Sequence, residues 1–318
     1  MPSHHTSLIK GISAFVLWGL FPVYFKLVSA VSPLEVLLYR IIFSFPFMFL
    51  YIFFRKNINK ALYLLIRRPK AFIGFINKLA HQFYETLVVY KSSLILLFIT
   101  GFLITVNWFV FIAAVYVDRI LETSLGYFIS PLLTILGSLV FFNEKLSRIK
   151  QIALGMTACA VLIKAIHYGA FPFIAIMLAG TFSGYGLIKK HIQKSRNASV
   201  MFMIETSLFF PISLIVLYFI GSGIFTTTEH SHSLKLLVIG LGIVTVVPLL
   251  LFNQAVQQLD MSRIGFIQYL TPSISFILAI SFYKEPFTLR DLMIFMLIWT
   301  ALFLVGFEDY HRRRKQKA

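Results

Sequence analysis

Two cations, one carboxylate and two amides fall inside stretches that are otherwise too apolar for them. Lys26 and Arg40 lie within the runs 11–29 and 34–54, Asn107 within 92–114, Glu205 within 199–220 and Gln268 within 263–283. A charge in hydrocarbon costs between about 2.5 and 10 kcal/mol unless it faces water or a partner, so such residues mark a pathway or a pair. At about 1.5 Å of helical rise per residue, Lys26 sits about 5 Å below the outer end of its run and Arg40 about 9 Å below the outer end of the next. Two cations at similar depth on neighbouring helices, facing one cavity, attract a carboxylate or phosphate, which Arg grips through two parallel hydrogen bonds. The competing reading is snorkelling to the outer headgroups, easy for Lys26 and harder for Arg40, with Glu35 available to neutralise one of them.

The remaining polar and aromatic candidates surround these cations or a pair of in-span prolines, Pro131 and Pro272. Asn107 and Gln268 need hydrogen-bond partners that a polar solute or a facing helix supplies. Trp18, Tyr24, Tyr39, Trp108, Tyr127, Tyr185 and Tyr269 form either an aromatic wall for a planar solute or ordinary packing and interface belt. Glu205, about 9 Å inside its run by helical rise, is the acidic candidate for proton binding or for pairing with a cation. Glu122 stands nearly at an interface, and no histidine lies deep in any run. Asn253, Gln254, Gln257 and Gln258 crowd one span end, where solvated capping is the simpler account. Glu144 and Glu285 stand beside Lys145 and Lys284 at span ends, placed to cap the next helix or to neutralise those lysines.

The elements that must position these residues follow from composition. The 318-residue chain is 58% hydrophobic and only 13% charged, with 35 Phe, 14 Tyr and 3 Trp, against about 25% charged in ordinary soluble domains. Mean hydropathy is +0.85. Ten runs approach the roughly 20 residues needed to cross the bilayer as a helix: 11–29, 34–54, 92–114, 122–142, 149–167, 170–188, 199–220, 234–257, 263–283 and 289–308. The long basic segment Arg55–Lys91 reads as one or two interfacial helices interrupted at Pro69, meeting lipid headgroups, with docking of a regulatory partner as the alternative. A net charge of +17 does not point to nucleic acid, because Lys and Arg collect in short joins. The single Cys159, within an apolar run, excludes an internal disulfide and a cysteine-built zinc site. No metal or other cofactor is expected.

Charge placement sets orientation. With both termini cytoplasmic, 22 of the 29 Lys and Arg fall on the inner side: Lys10, eight in Arg55–Lys91, three in Lys145–Lys150, four in Lys189–Arg196, Arg263 and five at the C-terminus. Five fall outside, a strong positive-inside bias. Val28-Ser29-Ala30 resembles a signal-peptidase site, but removing that run breaks a count of five spans plus five. Residues Ala114–Gln151 lie over Ala255–Leu292 without a gap at an offset of 141, with Ala114/Ala255, Val115/Val256, Pro131/Pro272, Phe141/Phe282 and Glu144/Glu285 coinciding. Five spans per half is an odd number, so the second half sits inverted relative to the first. Each proline leaves a carbonyl without its helical donor, and two such points around one axis suggest a central cavity able to open to either side; packing kinks are the alternative. The expected fold is an all-α membrane protein of ten transmembrane helices in two inverted five-helix repeats, 11–167 and 168–308, between a cytoplasmic N-terminus (1–10) and a basic tail (309–318).

Phe15–Leu27 (FVLWGLFPVYFKL), Tyr39-Arg40, Asn107-Trp108, Leu125–Leu132 (LGYFISPL), Ile204-Glu205-Thr206, Gly242–Leu249 (GIVTVVPL), Gly265–Pro272 (GFIQYLTP) and Phe282–Glu285 together resemble the RarD-type permeases. These form a branch of the EamA family in the drug/metabolite transporter superfamily. The resemblance runs from about Gly11 to Gly306 and implies a ten-helix permease of the bacterial cytoplasmic (inner) membrane with cytoplasmic termini. Members of the branch are usually labelled chloramphenicol-resistance permeases, their physiological substrates mostly undefined. The Arg55–Lys91 segment is longer than the family leads one to expect.

The function expected is movement of a small organic metabolite or drug by alternating access, with an anionic or zwitterionic solute favoured by Lys26 and Arg40. Arg40, Lys26, Asn107, Trp108, Tyr127, Gln268, Tyr269 and Trp18 are the substrate-binding candidates, and Glu205, Pro131 and Pro272 the coupling or gating ones. The alternative is a flippase for a lipid or lipid carrier on the same architecture. No nucleophile–base pair, metal-binding cluster or aspartate-rich diphosphate motif supports a membrane enzyme. Partners are the solute and membrane lipids, with proton or ion coupling and a monomeric or homodimeric state left open. No span shows a compelling Gly-xxx-Gly seam.

Overall fold

The computed structural model describes residues 4–54, 69–116, 120–168, 172–193, 196–221, 224–225, 231–281 and 288–317. Among them every regular element is helical: α1 (His4–Gly19), α2 (Phe21–Leu27), α3 (Pro33–Phe49), α4 (Pro69–Val89), α5 (Leu94–Tyr116), α6 (Ile120–Phe142), α7 (Arg148–Tyr168), α8 (Phe173–Ile192), α9 (Ala198–Ile220), α10 (His232–Gln258), α11 (Met261–Gln268), α12 (Leu270–Ser281) and α13 (Leu289–Lys317). A π-helical turn, Leu50–Phe54, extends α3. With no water in hydrocarbon to take up backbone groups, an apolar run of this length has to close its hydrogen bonds within itself.

The ends are marked by ordinary chemistry. Ser32 and Glu35 form a reciprocal capping box at α3, with Pro33 in the first helical position. Glu35's carboxylate accepts from the Ser32 backbone N–H and hydroxyl, so it serves the cap rather than a cation. Asn197 caps α9 by accepting from the N–H groups of Ser199 and Val200. Ser231 caps α10 through Leu234. Gly221 closes α9 in the left-handed region at φ 70°, where a side chain is disfavoured.

Seven of these helices are individually long and apolar enough to cross a membrane, and eight if α1 and α2, bent by 41°, are one broken span. The ten runs therefore do not all pass alone. The run 170–188 becomes α8, diluted by Gly180, Thr181, Ser183, Gly184 and Gly186 and ending in Lys189-Lys190. The run 263–283 is divided at Tyr269 into two short helices. Pro22, in the first turn of α2, accounts for the α1–α2 bend, because it lacks an N–H and crowds the carbonyl four residues earlier.

Proline acts unequally in the two copies. Pro131 is buried inside an unbroken α6, whereas its counterpart Pro272 stands three residues past the break at Tyr269. The expectation of two broken points is thus corrected to one continuous helix and one break. The carbonyls around Pro131 find side-chain donors: Ser183 Oγ donates to Ser130 O at 2.9 Å and Tyr269 Oη to Phe128 O at 3.3 Å. Phe282 and Glu285, from the repeated stretch, lie outside the described residues.

Packing follows a crossed pattern. α1 packs on α10 and α12, while α8 packs on α5 and α6; α3 lies on α9 and α10, α6 on α11, and α7 on α13. Glu144 joins the halves: both carboxylate oxygens accept from the first N–H groups of α11, Met261 N at 2.7 Å and Ser262 N at 2.9 Å. It caps a helix 117 residues away, not the next one. The faces turned away from this core carry large exposed apolar residues such as Ile95, Val140, Phe141, Ile166 and Phe219. Such a surface aggregates in water and matches acyl chains in a bilayer. α4 carries part of the Arg55–Lys91 segment and begins at Pro69, buries Leu79 and leaves Ile73, Tyr84 and Val89 exposed; residues 55–68 lie outside the described residues.

One contact in this bundle tolerates no side chain. A Cβ on Gly242 of α10 would lie 2.6 Å from the backbone carbon of Phe43 and 2.7 Å from its oxygen. Gly242→Val is expected to cost about 1–3 kcal/mol through overpacking, read as a lowered thermal unfolding midpoint in detergent. The same change at Gly180, which has nothing within 4 Å, is expected to leave the midpoint nearly unchanged.

Candidate solute-binding site

Arg40 is the largest fully buried side chain of the described residues, 2% exposed on α3. Its Nε donates to Thr245 Oγ1 of α10 at 3.0 Å. The guanidinium carbon lies 4.2 Å from the ring centre of Trp108, 5.3 Å from Phe25 and 5.6 Å from Phe21. Cation–π attraction of this kind is worth about 0.5–2 kcal/mol per ring, more when desolvated. Nη2 is buried and has no hydrogen-bond partner, and among the described residues no carboxylate pairs with Arg40. Tyr127, whose ring is 5.7 Å from Phe111, closes the same region from α6.

The bend after α1 is what builds this cage. It turns α2 so that Phe21 and Phe25, four residues apart and hence on one face, meet Arg40. Lys26, one residue further round the helix, is exposed. The expectation that Lys26 and Arg40 face one cavity is therefore corrected: the side chains that join Arg40 from that helix are aromatic.

Trp108 connects this cage to a second aromatic group, because it packs against two core clusters. In that group Trp18 stands edge-on to Phe15 at 5.2 Å and to Phe182 at 5.5 Å, with Phe252 and Tyr185 behind. Tyr24 and Tyr39 lie elsewhere: Tyr24 Oη donates to Leu237 O at 2.6 Å, and Tyr39 stacks on Phe43. Tyr269 is fully buried.

The two amides are engaged by facing helices. Asn107 Nδ2 donates to Leu178 O at 2.9 Å and Thr181 Oγ1 at 3.0 Å, tying α5 to α8. Gln268 Nε2 donates to Ser130 Oγ at 2.7 Å, tying α11 to α6.

Glu205 of α9 pairs with Lys189 of α8, both fully or nearly fully buried, while Glu205 Oε1 has no partner. Lys189 is a correction to the sequence reading, which placed it in an inner basic join. Lys190 next to it reaches out instead, donating to Leu259 O at 2.6 Å. Asn253, expected at a solvated span end, is also fully buried: Nδ2 donates to Tyr185 Oη at 2.9 Å and Leu249 O at 2.8 Å, and Oδ1 accepts from Gln193 Nε2 at 2.8 Å. Gln254 donates to Ser199 Oγ and Gln257 to Gln193 O. Sequence offered one usable signal here: Lys189 lies 16 residues before Glu205, at the end of the apolar run that precedes the one holding Glu205. Glu122's side chain lies outside the described residues.

A groove of about 760 Å³ lies between α6 and α7, lined mainly by leucines with Glu144 and Lys145 at one end; it is on the apolar flank, away from Arg40. Among the described residues no group of three His, Cys, Asp or Glu could hold a metal ion.

Comparison with known proteins assigns the class. A profile described as the EamA-like transporter family matches residues 170–307. The uncharacterized transporter YojE of Bacillus subtilis is 34% identical over 99% of both chains. Protein RarD of Escherichia coli is 33% identical over 97% of this chain and 96% of its own. A chloramphenicol-sensitive protein RarD of Pseudomonas aeruginosa is 25% identical, covering 97% and 96% of the two chains. A solved crystal structure superposes with a TM-score of 0.64 at 16% identity, over 95% of this chain and 98% of that one, a likeness of fold alone.

A bundle of long apolar helices with a buried polar core is a multi-pass membrane protein, and with these relatives it is a membrane transporter. The chain belongs to the EamA-like transporter family, as a RarD-type permease.

The buried ion pair has a testable energetic signature. Removing one partner strands the other charge, at about 3–5 kcal/mol, whereas removing both is far less costly. Lys189→Met and Glu205→Leu are each expected to lower the unfolding midpoint strongly, and the double variant to recover most of the loss. Additive losses in this double-mutant cycle would show that the two side chains do not act as a pair.

Proposed function

We propose that this permease resides in the bacterial cytoplasmic membrane, both termini inside, and moves a small organic solute by alternating access. Ten helices arranged as inverted five-helix repeats, 11–167 and 168–308, are the architecture we infer. The crossed packing supports it: equivalent elements of the two halves touch, as Tyr269 does Phe128 at the 141-residue offset. Pro131 and Pro272 are the flexible points of the equivalent helices. Glu205 is the group proposed to couple transport to a proton, since one of its oxygens is buried and unmatched.

The favoured solute is anionic or zwitterionic with an apolar part. The observation that carries this is Arg40, buried among helices long enough to span the bilayer, with Nη2 unpartnered and aromatic rings on its faces. Such a group in hydrocarbon calls for a counter-charge, and the solute supplies it. Trp108, Tyr127 and Trp18 furnish the apolar wall, and Asn107, Gln268 and Tyr269 hold the helices around it. Lys26, exposed at the end of α2, is proposed to attract the anion on approach. Nothing in the site favours the lipid-flippase alternative.

Radiolabelled uptake into vesicles tests the reading with a panel of anionic, neutral and cationic solutes. Arg40→Gln is expected to cut uptake of the anionic or zwitterionic solutes at least about tenfold, because a hydrogen bond to a charged group is worth about 1.5–3 kcal/mol. Indifference to the substitution together with a preference for cations would reject it. Reporter fusions are expected to place both termini in the cytoplasm; termini on opposite sides would overturn the inverted repeat.

A further inference from the structure

The two halves carry opposite charges at equivalent positions. α3 and α9 both start on a side-chain cap, Ser32 and Asn197, and both contain a Phe-Pro step, Phe45-Pro46 and Phe210-Pro211. Laying cap on cap sets an offset of 165 at which both steps coincide. The two helices pack together, and Phe45 and Phe210 touch, ring centres 5.0 Å apart. In this register Arg40 falls on Glu205, and each is 2% exposed.

Their surroundings differ in one respect. Glu205 has a built-in counter-ion, Lys189. Arg40 has none among the described residues: Thr245 takes Nε, aromatic rings cover the faces, and Nη2 is left bare. At this position, among the described residues, the charge of one half is thus neutralised from within and that of the other is left without a counter-ion.

We propose that one carboxylate of the ligand takes the place at Arg40 that Lys189 takes at Glu205, and that the ligand is a monoanion with a flat apolar body and no ammonium group. This rests on reading Arg40 as a solute-binding residue. An ammonium beside the carboxylate lies close to the guanidinium, and the described neighbours of Arg40 offer it rings and hydroxyls but no anion; the buried carboxylate of the equivalent helix is already held by Lys189. A second carboxylate likewise finds no second cation among the described neighbours of Arg40, since the buried lysines Lys189 and Lys150 are paired with Glu205 and Asp309. The body is flat and apolar because the walls are the rings of Phe21, Phe25, Trp108 and Tyr127, none of them fully buried.

Thermal unfolding of the purified full-length protein in detergent, with tryptophan fluorescence as a second readout, tests this on probes sharing one body. These are 3-phenylpropanoate, phenylalanine, 3-phenylpropanamide and 3-phenylpropylamine, with phenylsuccinate as dianion and butyrate as aliphatic monoanion. The expected result is saturable stabilisation by 3-phenylpropanoate, at least tenfold tighter than by any other probe, lost in Arg40→Gln and partly kept in Arg40→Lys. Phenylalanine binding as tightly, in an Arg40-dependent way, overturns the monoanion while leaving the anionic-or-zwitterionic reading standing. Phenylsuccinate binding as tightly overturns the single charge, and butyrate the flat body. No Arg40-dependent response to any probe overturns both readings. If Arg40→Gln does not fold, Arg40→Lys and the probe ranking on the wild-type protein decide.

Discussion

A guanidinium held among membrane-spanning helices, with no carboxylate partner among the described residues, is the constraint around which the site is organised. Moving such a charge to the centre of a bilayer costs between about 2.5 kcal/mol and well over 10 kcal/mol, depending on how much water and headgroup follow it. Arg40 is compensated only in part, by the Thr245 hydroxyl and by the faces of Trp108, Phe25 and Phe21. That partial compensation dictates local structure. The first span bends so that α2 turns its phenylalanines onto Arg40, and Gly242, one helical turn from Thr245 on α10, lets that helix approach the backbone of Phe43 on α3.

Elsewhere the buried polar groups are largely matched. Asn107, Gln268 and Asn253 each bond a facing helix, Lys189 neutralises Glu205, and Glu144 takes up two N–H groups at the start of α11. These contacts define which helix lies against which, since apolar packing alone discriminates weakly between lipid tails and another helix. Against that background, among the buried atoms left bare in the described residues, which include Ser7 Oγ and Gln193 Oε1, two belong to charged groups on packed helices: Nη2 of Arg40 and Oε1 of Glu205.

Much of the bundle was legible in the sequence. Runs of apolar residues locate helices because hydrocarbon leaves no other way to satisfy a backbone, and the helices α3, α5, α6, α7, α9, α10 and α13 fall where those runs do. What hydropathy reports, however, is depth and not azimuth. Helices that are apolar all round give no periodic signal for which face meets a neighbour, so Lys26 and Arg40 looked alike in depth, yet only one points inward. Lys189 and Lys190 looked like a join, though successive residues are about 100° apart on a helix and one of them turns into the core. Asn253 turns inward from its span end in the same way. The 141-residue offset was visible through its prolines; the register that lays Arg40 on Glu205 needed helix caps that only the fold supplies.

Stability and function should separate at Arg40 if its charge is retained for a ligand. The most direct measurement is the unfolding midpoint of Arg40→Met beside uptake of anionic solutes in vesicles. Methionine has similar length and no charge to desolvate, so the account expects the midpoint to hold or rise while uptake is lost. A midpoint that falls by many degrees, with uptake per folded molecule unchanged, would contradict it and make Arg40 a structural residue.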